Sequence, residues 1–537
     1  MKEYLVTASQ MKRYDTNTIE KCHIPALVLM ERSALVTVEE LRRVCGNHPY
    51  RVLVVAGGGN NGGDGLAVGR ILMLEGCHVT YVLLGDGKKC SPETARQADI
   101  VRAYQAQIFS TIQDGEYDIV IDAIFGIGLS RQVEGAHRSA IEWINNSGAY
   151  ICSVDIPSGI QADTGEVMEC AVHADLTVTY GFYKVGHVLY PGAAYAGKLI
   201  CRQMGIDTYS FMGTEPYWYT HIGTDAMLLP HRRPDGNKGT FGKVLVIAGN
   251  RDIAGAAMLA AKSAFRTGAG MVKMVTAIEN RAIIQQYVPE AMILSYGAER
   301  QGHEDSAGAF YEQRFMEELK EAETWADVIL VGPGIGTAQH ARELLKFCLS
   351  ESSLALVIDA DGLNILARDK ELRQALASRQ EMDRTVILTP HIGEFARLYG
   401  CSIAQVKKHL TDYPLELSRR LHCTVVCKDA RTIVVCPEGK HGYINTTGNS
   451  GMATAGSGDV LAGMVSGLLA QGMSGFEAAV AGVCLHGTAG DLAAEKKTEA
   501  SVMAGDIIDN IPDALLLQCK DKADVNRNPI FENGAKT

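Results

Sequence analysis

The placement of glycine constrains this chain more than any other feature. Two runs, residues 57–65 (GGGNNGGDG) and residues 451–459 (GMATAGSGD), each lead into a helix-like segment, and they are not copies of each other. A backbone approaches a phosphate closely only where side chains are missing, and the N–H groups at a helix start supply the donors. The two runs therefore predict two nucleotide-handling sites.

Length agrees with that reading, because a single hydrophobic core stops growing at roughly 250–300 residues and this chain has 537. Its 47% hydrophobic and 21% charged residues are ordinary for a globular protein. A net charge of −11 argues against a nucleic-acid partner, whose binding needs clustered Lys and Arg. Residues 1–10 lack the apolar core of a signal peptide. The most apolar long stretch, residues 460–490, is broken by Gln471 and Glu477 and rich in Gly and Ala. It predicts a buried helical pair rather than a membrane span. Fourteen scattered cysteines, with no C-x-x-C and no Cys/His zinc spacing, predict a reducing cytoplasm and no structural metal. Cys423 and Cys427 read as buried packing.

The first half alternates strands and helices. RVLVVA (51–56) reads as a buried strand, 66–74 as a short helix, and 78–84, 117–122, 149–155 and 175–180 as further apolar strands. Short continuous apolar strands separated by helices indicate a parallel sheet covered on both faces. Residues 201–235 break the pattern and read as a connection. A second α/β series follows from Gly242, with strands at 325–331, 354–359, 385–389 and 424–428 and a candidate hairpin of 432–435 with 441–444. The fold class is thus α/β in two domains: residues 1–215, residues 222–518, and a flexible polar tail, residues 519–537.

Gly57, Gly59 and Gly62 satisfy the dinucleotide fingerprint G-x-G-x-x-G, with Asp86 as the acidic residue expected after the second strand. An NAD(P)-dependent dehydrogenase is the first reading. Asn60, Asn61 and Asp64 go beyond it, since a carboxylate beside phosphate is repulsive unless a cation or sugar hydroxyl intervenes. Asp122 in DAIFGIGL and Asp155 in VDIPSG stand at later strand ends. Asn61, Asp122 and Ser158 offer oxygen ligands from three loops, a set suited to a hard cation. Singly, each is more often a helix cap or turn residue, but together at successive strand ends they favour a site.

In the second half, Gly456-Ser457-Gly458-Asp459 opens a helix with apolar residues at helical spacing. Its N–H groups and dipole would stabilise a transferring phosphoryl group, and Asp459 could take the proton of an attacking hydroxyl. The alternative is an N-cap aspartate. GPGIG (332–336), DADGLN (359–364), TPHIGE (389–394) and KDART (428–432) each sit at a strand end or a strand junction.

GNNGGDGL, DAIFGIGL, VDIPSG and TYGFYKVG, with TASQMKRYD and LMERSA, resemble the epimerase domain of the NAD(P)H-hydrate repair enzymes. The resemblance implies a Rossmann-like three-layer sandwich that interconverts the C6 epimers of hydrated NAD(P)H, NAD(P)HX. It implies hydrate binding by Asn60, Asn61, Gly62, Gly63, Asp64, Gly126, Ile127, Gly128, Leu129, Ser130, Arg131, Gln132 and Asp155, and potassium on Asn61, Asp122 and Ser158. Asp155 is the candidate acid/base and Lys184 a second candidate, whose alternative is an exposed structural lysine. Ile127 and Ser33-Ala34 depart mildly from the family pattern.

NKGTFGKVLVIAG, GPGIG, DADGLN, LTPHIGEFARL, KDART and AGSGDVLAG resemble the dehydratase domain of the same system, a ribokinase-like α/β fold. That resemblance implies ADP as co-substrate and magnesium, with Asp459 catalytic. It places Ala257, Gly336, His391 and Asp459 on the hydrate, and Lys428, Asp429, Ala430, Arg431, Thr432 and Gly458 on the adenine nucleotide. Residues 250–255 depart from the usual pattern. NADHX and NADPHX are the implied small-molecule partners, and a homo-oligomer without nucleic acid or membrane is the expected assembly. The rivals are a vitamin or sugar kinase fused to a nucleotide-binding domain, and an N-terminal domain that only binds.

Overall fold

The computed structural model describes residues 2–85, 89–221, 229–297, 306–379 and 384–525, so Asp86, part of the expected connection and residues 526–537 of the expected tail lie outside the described residues. The chain divides into two compact units at residues 219 and 220.

The N-terminal unit is built on a parallel sheet ordered Ile108–Phe109, His78–Leu83, Arg51–Ala56, Ile119–Ala123, Tyr150–Val154, Leu176–Tyr180 and Lys198–Arg202. Alternate residues of Arg51–Ala56 enter different cores. Val52, Val54 and Ala56 pack on one face with Leu66, Val68 and Leu41 of flanking helices, and Leu53 and Val55 on the other with Ile141 and Ile144. Both faces are therefore covered, and each fully buried Val, Leu or Ile adds roughly 1.5–3 kcal/mol. This is the Rossmann-like three-layer sandwich. Strand order reverses between Arg51–Ala56 and Ile119–Ala123, and ligands in open α/β sheets bind beyond the strand ends at such a switch point.

The C-terminal unit carries strands in the order Met292–Tyr296, Met271–Ala277, Lys243–Ile247, Val328–Val331, Ala355–Ile358, Val386–Leu388 and Thr424–Cys427, parallel throughout. Ile433–Val435 and Gly442–Ile444 then continue the sheet antiparallel, as the expected hairpin. The Gly/Ala-rich stretch is a helical pair, Ser457–Ala470 and Gly475–Lys497. A Cβ on Gly463 would stand 2.1 Å from the Ala260 carbonyl oxygen, so the glycine lets the first of these helices press against helix Gly255–Arg266. No described helix is long and apolar enough to cross a membrane.

Three expectations need correction. The helix after the first glycine run starts at Asn60, not Leu66, because its glycines are buried helical residues fitted against the sheet. The expected connection contains the end of strand Lys198–Arg202, which pairs with Leu176–Tyr180, and a strand Trp218–His221. The last helix, Ala504–Val525, runs into the expected tail.

Two candidate active sites

In the N-terminal unit a cavity of about 1190 Å³ opens at the switch point. Gly57, Gly58, Gly59, Asn60, Asn61 and Asp64 line it, together with residues 126–131 and Asp155. Gly62, Gly63 and Gln132 do not. The N–H groups of Gly62 and Gly63 donate to the Gly59 carbonyl at 2.9 and 3.4 Å, so they close the first helical turn. A Cβ on Gly62 would lie 1.8 Å from the Gly57 carbonyl oxygen, and one on Gly63 would strike Met30 and Thr94.

Asp155 follows strand Tyr150–Val154 with φ +66, a left-handed conformation unusual for a residue with a side chain. Its Oδ1 accepts from the Lys184 ammonium and, at 2.9 Å, from the Thr179 hydroxyl. Burial pushes its carboxyl up, but Lys184 outweighs this and holds it below the ordinary carboxylate range. Lys184 has no exposure at all, so it is not a surface lysine; it stands behind Asp155 and does not line the cavity. Its contact with the cavity is through the Asp155 side chain. Asp64 is raised well above a normal carboxylate, by burial and then by the neighbouring Asp155 and Asp15 charges.

Asp122 is fully buried, and its carboxylate accepts from the Ser153 hydroxyl at 2.7 Å and from the Ser158 and Ile124 N–H groups at 2.9 and 3.4 Å. Burial raises its pKa and these donors oppose the rise; among the described residues no lysine or arginine hydrogen-bonds to it. The Asn61 amide and the Ser158 hydroxyl both donate to the Phe125 carbonyl, at 2.9 and 3.4 Å. Of the three residues expected to hold a cation, Asn61 and Ser158 thus share one carbonyl and Ser158 also bonds to the buried Asp122 carboxylate.

In the C-terminal unit Gly456, at φ +89, caps helix Ser457–Ala470, and Asp459 is that helix's third residue rather than its N-cap. Burial first, and then the Asp359 charge, push Asp459 up to about 7. The Lys428 ammonium donates to Asp359 at 2.7 Å and lies 3.1 Å from where a Gly458 Cβ would be. Only glycine leaves that room at the helix start. Burial would lower the Lys428 ammonium, but Asp359 and Glu394 raise it, so it stays charged. Gly336 N–H donates to Asp361 at 2.8 Å.

His391 caps helix Ile392–Tyr399, its Nδ1 accepting from the Gly393 N–H at 3.0 Å, while 56% of its side chain stays exposed. Ala257 is fully buried in helix Gly255–Arg266, so its side chain is closed to a ligand. Asp429 to Thr432 join strands Thr424–Cys427 and Ile433–Val435, with Arg431 donating to the Thr446 carbonyl at 3.1 Å.

A family model described as NAD(P)H-hydrate dehydratase matches residues 244–513, and one described as YjeF-related protein N-terminus matches residues 26–186. A bifunctional NAD(P)H-hydrate repair enzyme of Thermofilum pendens is 36% identical over 519 residues, covering 94% of this chain and 95% of its own. One of Moorella thermoacetica is 34% identical over 524 residues, covering 95% and 96%. The chain belongs to the bifunctional NAD(P)H-hydrate repair enzymes. An ADP/ATP-dependent NAD(P)H-hydrate dehydratase structure from Bacillus subtilis, co-crystallized with ATP/Mg2+, aligns at TM-score 0.44 and 28% identity, covering 54% of this chain and 94% of its own.

As a repair enzyme of this family the chain carries an epimerase domain and a dehydratase domain, and each has acidic residues that sequence reasoning left unassigned. Asp15, on helix Ala8–Glu20, lines the epimerase cavity and is itself raised by burial and by Glu93. Asp359 and Glu394 flank Lys428 in the dehydratase domain. Asp15, Asp359 and Glu394 all stand inside quoted motifs; what was missing was a reason to separate them from turn and cap residues.

Proposed function

We propose that the N-terminal unit interconverts (R)- and (S)-NAD(P)HX and that the C-terminal unit returns (S)-NAD(P)HX to NAD(P)H, consuming ADP and releasing AMP and phosphate. One observation carries the reading: each unit has a largely enclosed carboxylate near a lysine just beyond the parallel strands, Asp155 ion-paired with Lys184, and Asp459 within the electrostatic reach of Lys428, which itself pairs with Asp359. A domain that merely bound nucleotide would not need the first of these.

On this reading Asp459 takes the proton of the C6 hydroxyl as that oxygen attacks the terminal phosphoryl group of ADP, and AMP departs. The C6–O bond then breaks with its electron pair leaving on phosphate, and loss of a C5 proton restores the dihydronicotinamide. Phosphorylation turns a poor leaving group into a good one. Lys428 to Thr432 and Gly458 would meet the nucleotide, with the helix start around Gly458 cradling the transferring group. Gly336, His391, Asp459 and the backbone at Ala257 would meet the hydrate. In the other unit Asn60 to Asp64, residues 126–132 and Asp155 would hold the hydrate, with Asp155 taking the C6 hydroxyl proton as the C6–N1 bond opens to an aldehyde and returning it when the bond re-forms on the other face.

Two cations fit this assignment. The buried Asp122 carboxylate, with the oxygens of Asn61 and Ser158, would hold potassium, which supplies the positive charge that Asp122 lacks among its hydrogen-bond partners. Magnesium keeps several waters and binds through substrate phosphates. That fits a site where, among the described residues, no three His, Cys, Asp or Glu side chains are grouped to hold a metal. The negative net charge and free thiols suit a cytoplasmic homo-oligomer acting on free NADHX and NADPHX, away from nucleic acid and membrane.

The test supplies mixed hydrate epimers with ADP or ATP and follows the return of dihydronicotinamide absorbance. Conversion of both epimers faster than their spontaneous exchange is expected. No return with either nucleotide would sink the proposal, and a stable phosphorylated product would favour the small-molecule kinase. Asp155→Asn should stop conversion at the S fraction.

A further inference from the structure

The Asp155–Lys184 pair depends on a third residue that no motif reading assigned. His187 lies in the one-turn helix Val185–Val188 and is 2% exposed. Its Nδ1 accepts from the main-chain N–H of Lys184 at 3.0 Å. Its Nε2 lies 2.9 Å from the main-chain carbonyl oxygen of Asp155. Because Nδ1 is used as an acceptor, the ring proton sits on Nε2 and donates to that carbonyl. One imidazole therefore ties together the main chains of the two residues whose side chains form the ion pair.

The tie falls where the backbone needs it. Asp155 holds φ +66, a conformation that a residue with a Cβ leaves unless its surroundings enforce it. Its N–H is fixed by the Val178 carbonyl at 2.8 Å. Its carbonyl is fixed by His187. The carboxylate is thereby aimed at the cavity that Asp155 lines, with Lys184 and Thr179 behind it.

We propose that His187 is a positioning residue of the epimerase site, whose imidazole locks the Asp155 main chain and sets the geometry in which the Asp155 carboxylate meets the hydrate. The proposal rests on the reading that Asp155 performs the acid–base step. His187 does not exchange a proton in turnover: burial, and then the Lys184 ammonium, push its pKa down to about 3, so it stays neutral at working pH.

The experiment uses the full chain and measures epimerisation and dehydration separately. His187→Asn leaves an amide near the Nδ1 position and loses the donor at Nε2; His187→Gln returns an amide donor close to the Nε2 position. His187→Asn is expected to lower kcat for epimerisation by roughly 100-fold, the cost of about 1 Å of misplacement, with KM little changed. His187→Gln should recover most of that loss, and dehydration of the S epimer should be unchanged in both. Wild-type kcat in His187→Asn, or equal losses in both variants with KM raised, would overturn the proposal in favour of simple packing. Asp155→Asn separates the two levels. If it epimerises at the wild-type rate the acid–base reading fails; if it is inactive while His187→Asn keeps the wild-type kcat, only the positioning role fails.

Discussion

The two glycine runs look alike as sequence and do different work. In the first, glycine is needed because backbone fills the space: a Cβ would stand 1.8 Å from a carbonyl oxygen at Gly62, 2.1 Å at Gly57, and 2.3 Å from the Ala123 methyl at Gly65. In the second, backbone also fills the space at Gly451, 2.3 Å from the Glu499 carbonyl oxygen, but at the helix start what a Cβ on Gly458 would meet is the tip of a lysine at 3.1 Å. The difference therefore lies between single positions: Gly62 is closed in by backbone, whereas Gly458 leaves room for a lysine at a helix start. The carboxylates differ in the same sense. Asp155 is held ionised by a fully buried ammonium. Asp459 is pushed to about 7 by burial and by Asp359. A glycine-rich stretch before a helix is therefore no evidence by itself of a phosphate cradle; the atoms that fill the missing side chain's place decide it.

The contrast breaks most directly by adding a methyl group to each run. Overpacking against rigid backbone costs about 1–3 kcal/mol and sometimes more, so Gly62→Ala should abolish epimerisation and lower the melting temperature of the N-terminal unit by calorimetry. Gly458→Ala meets only a flexible side-chain end, so melting should hold while dehydration slows by about tenfold or more, since one displaced donor or cation costs on that scale. The reverse pattern, stability lost at Gly458 and kept at Gly62, would invert the assignment.

Removing the second base comes next in size. Asp459→Asn should cut kcat for dehydration by about 10²–10⁴-fold, the usual worth of a positioned base. Epimerisation measured on the same preparation should not change.

The two carboxylates should also separate by pH. A base acts when ionised, so with Asp459 near 7 the kcat/KM for dehydration should climb with pH through about 7 and then level off. Below that point it should fall about tenfold per unit. Asp155 is lowered, hence ionised throughout the neutral range, and epimerisation should lack this limb. A dehydration profile flat from mildly acidic to mildly basic pH would show that Asp459 is not the group titrating.

The central strands were readable because they are buried on both faces and so run largely apolar, as in Arg51–Ala56, whereas the partly buried Ile108–Phe109, Lys198–Arg202 and Met292–Tyr296 were not read as strands. Asn61 and Ser158 share the Phe125 carbonyl, and Ser158 bonds to Asp122, because parallel strands gather their ends on one side: Asn61 opens the helix beyond Arg51–Ala56, Asp122 stands near the end of Ile119–Ala123 and Ser158 follows Tyr150–Val154. The start of helix Asn60–Leu74 was not readable, since propensity speaks against glycine in a helix and only the close approach of Gly57 and Ala123 explains it. Lys184 was a second acid–base candidate in the sequence, but its burial, like that of the unassigned His187, was hidden. Both are polar residues in a short sequence segment, and their complete burial behind Asp155 is a tertiary fact with no periodic signature.

The smallest expected effect concerns His391, where two uses of one side chain must be told apart. Its Nδ1 caps Gly393, so losing it costs helix stability, typically about 1 kcal/mol for a cap. Its more than half-exposed ring, lowered in pKa by burial and by Lys428 and Arg397, stays neutral and able to contact an uncharged hydroxyl or amide. His391→Ala removes both uses, whereas His391→Asn keeps a short capping side chain and removes the ring. If the ring touches the hydrate, both variants should raise KM for (S)-NAD(P)HX several-fold, about 1 kcal/mol for one neutral hydrogen bond, with kcat nearly unchanged. If His391 only caps its helix, His391→Asn should match the wild type in both KM and melting temperature. The second result would remove His391 from the hydrate site and leave the first turn of helix Ser457–Ala470 as the part of the dehydratase domain that sequence reading located best.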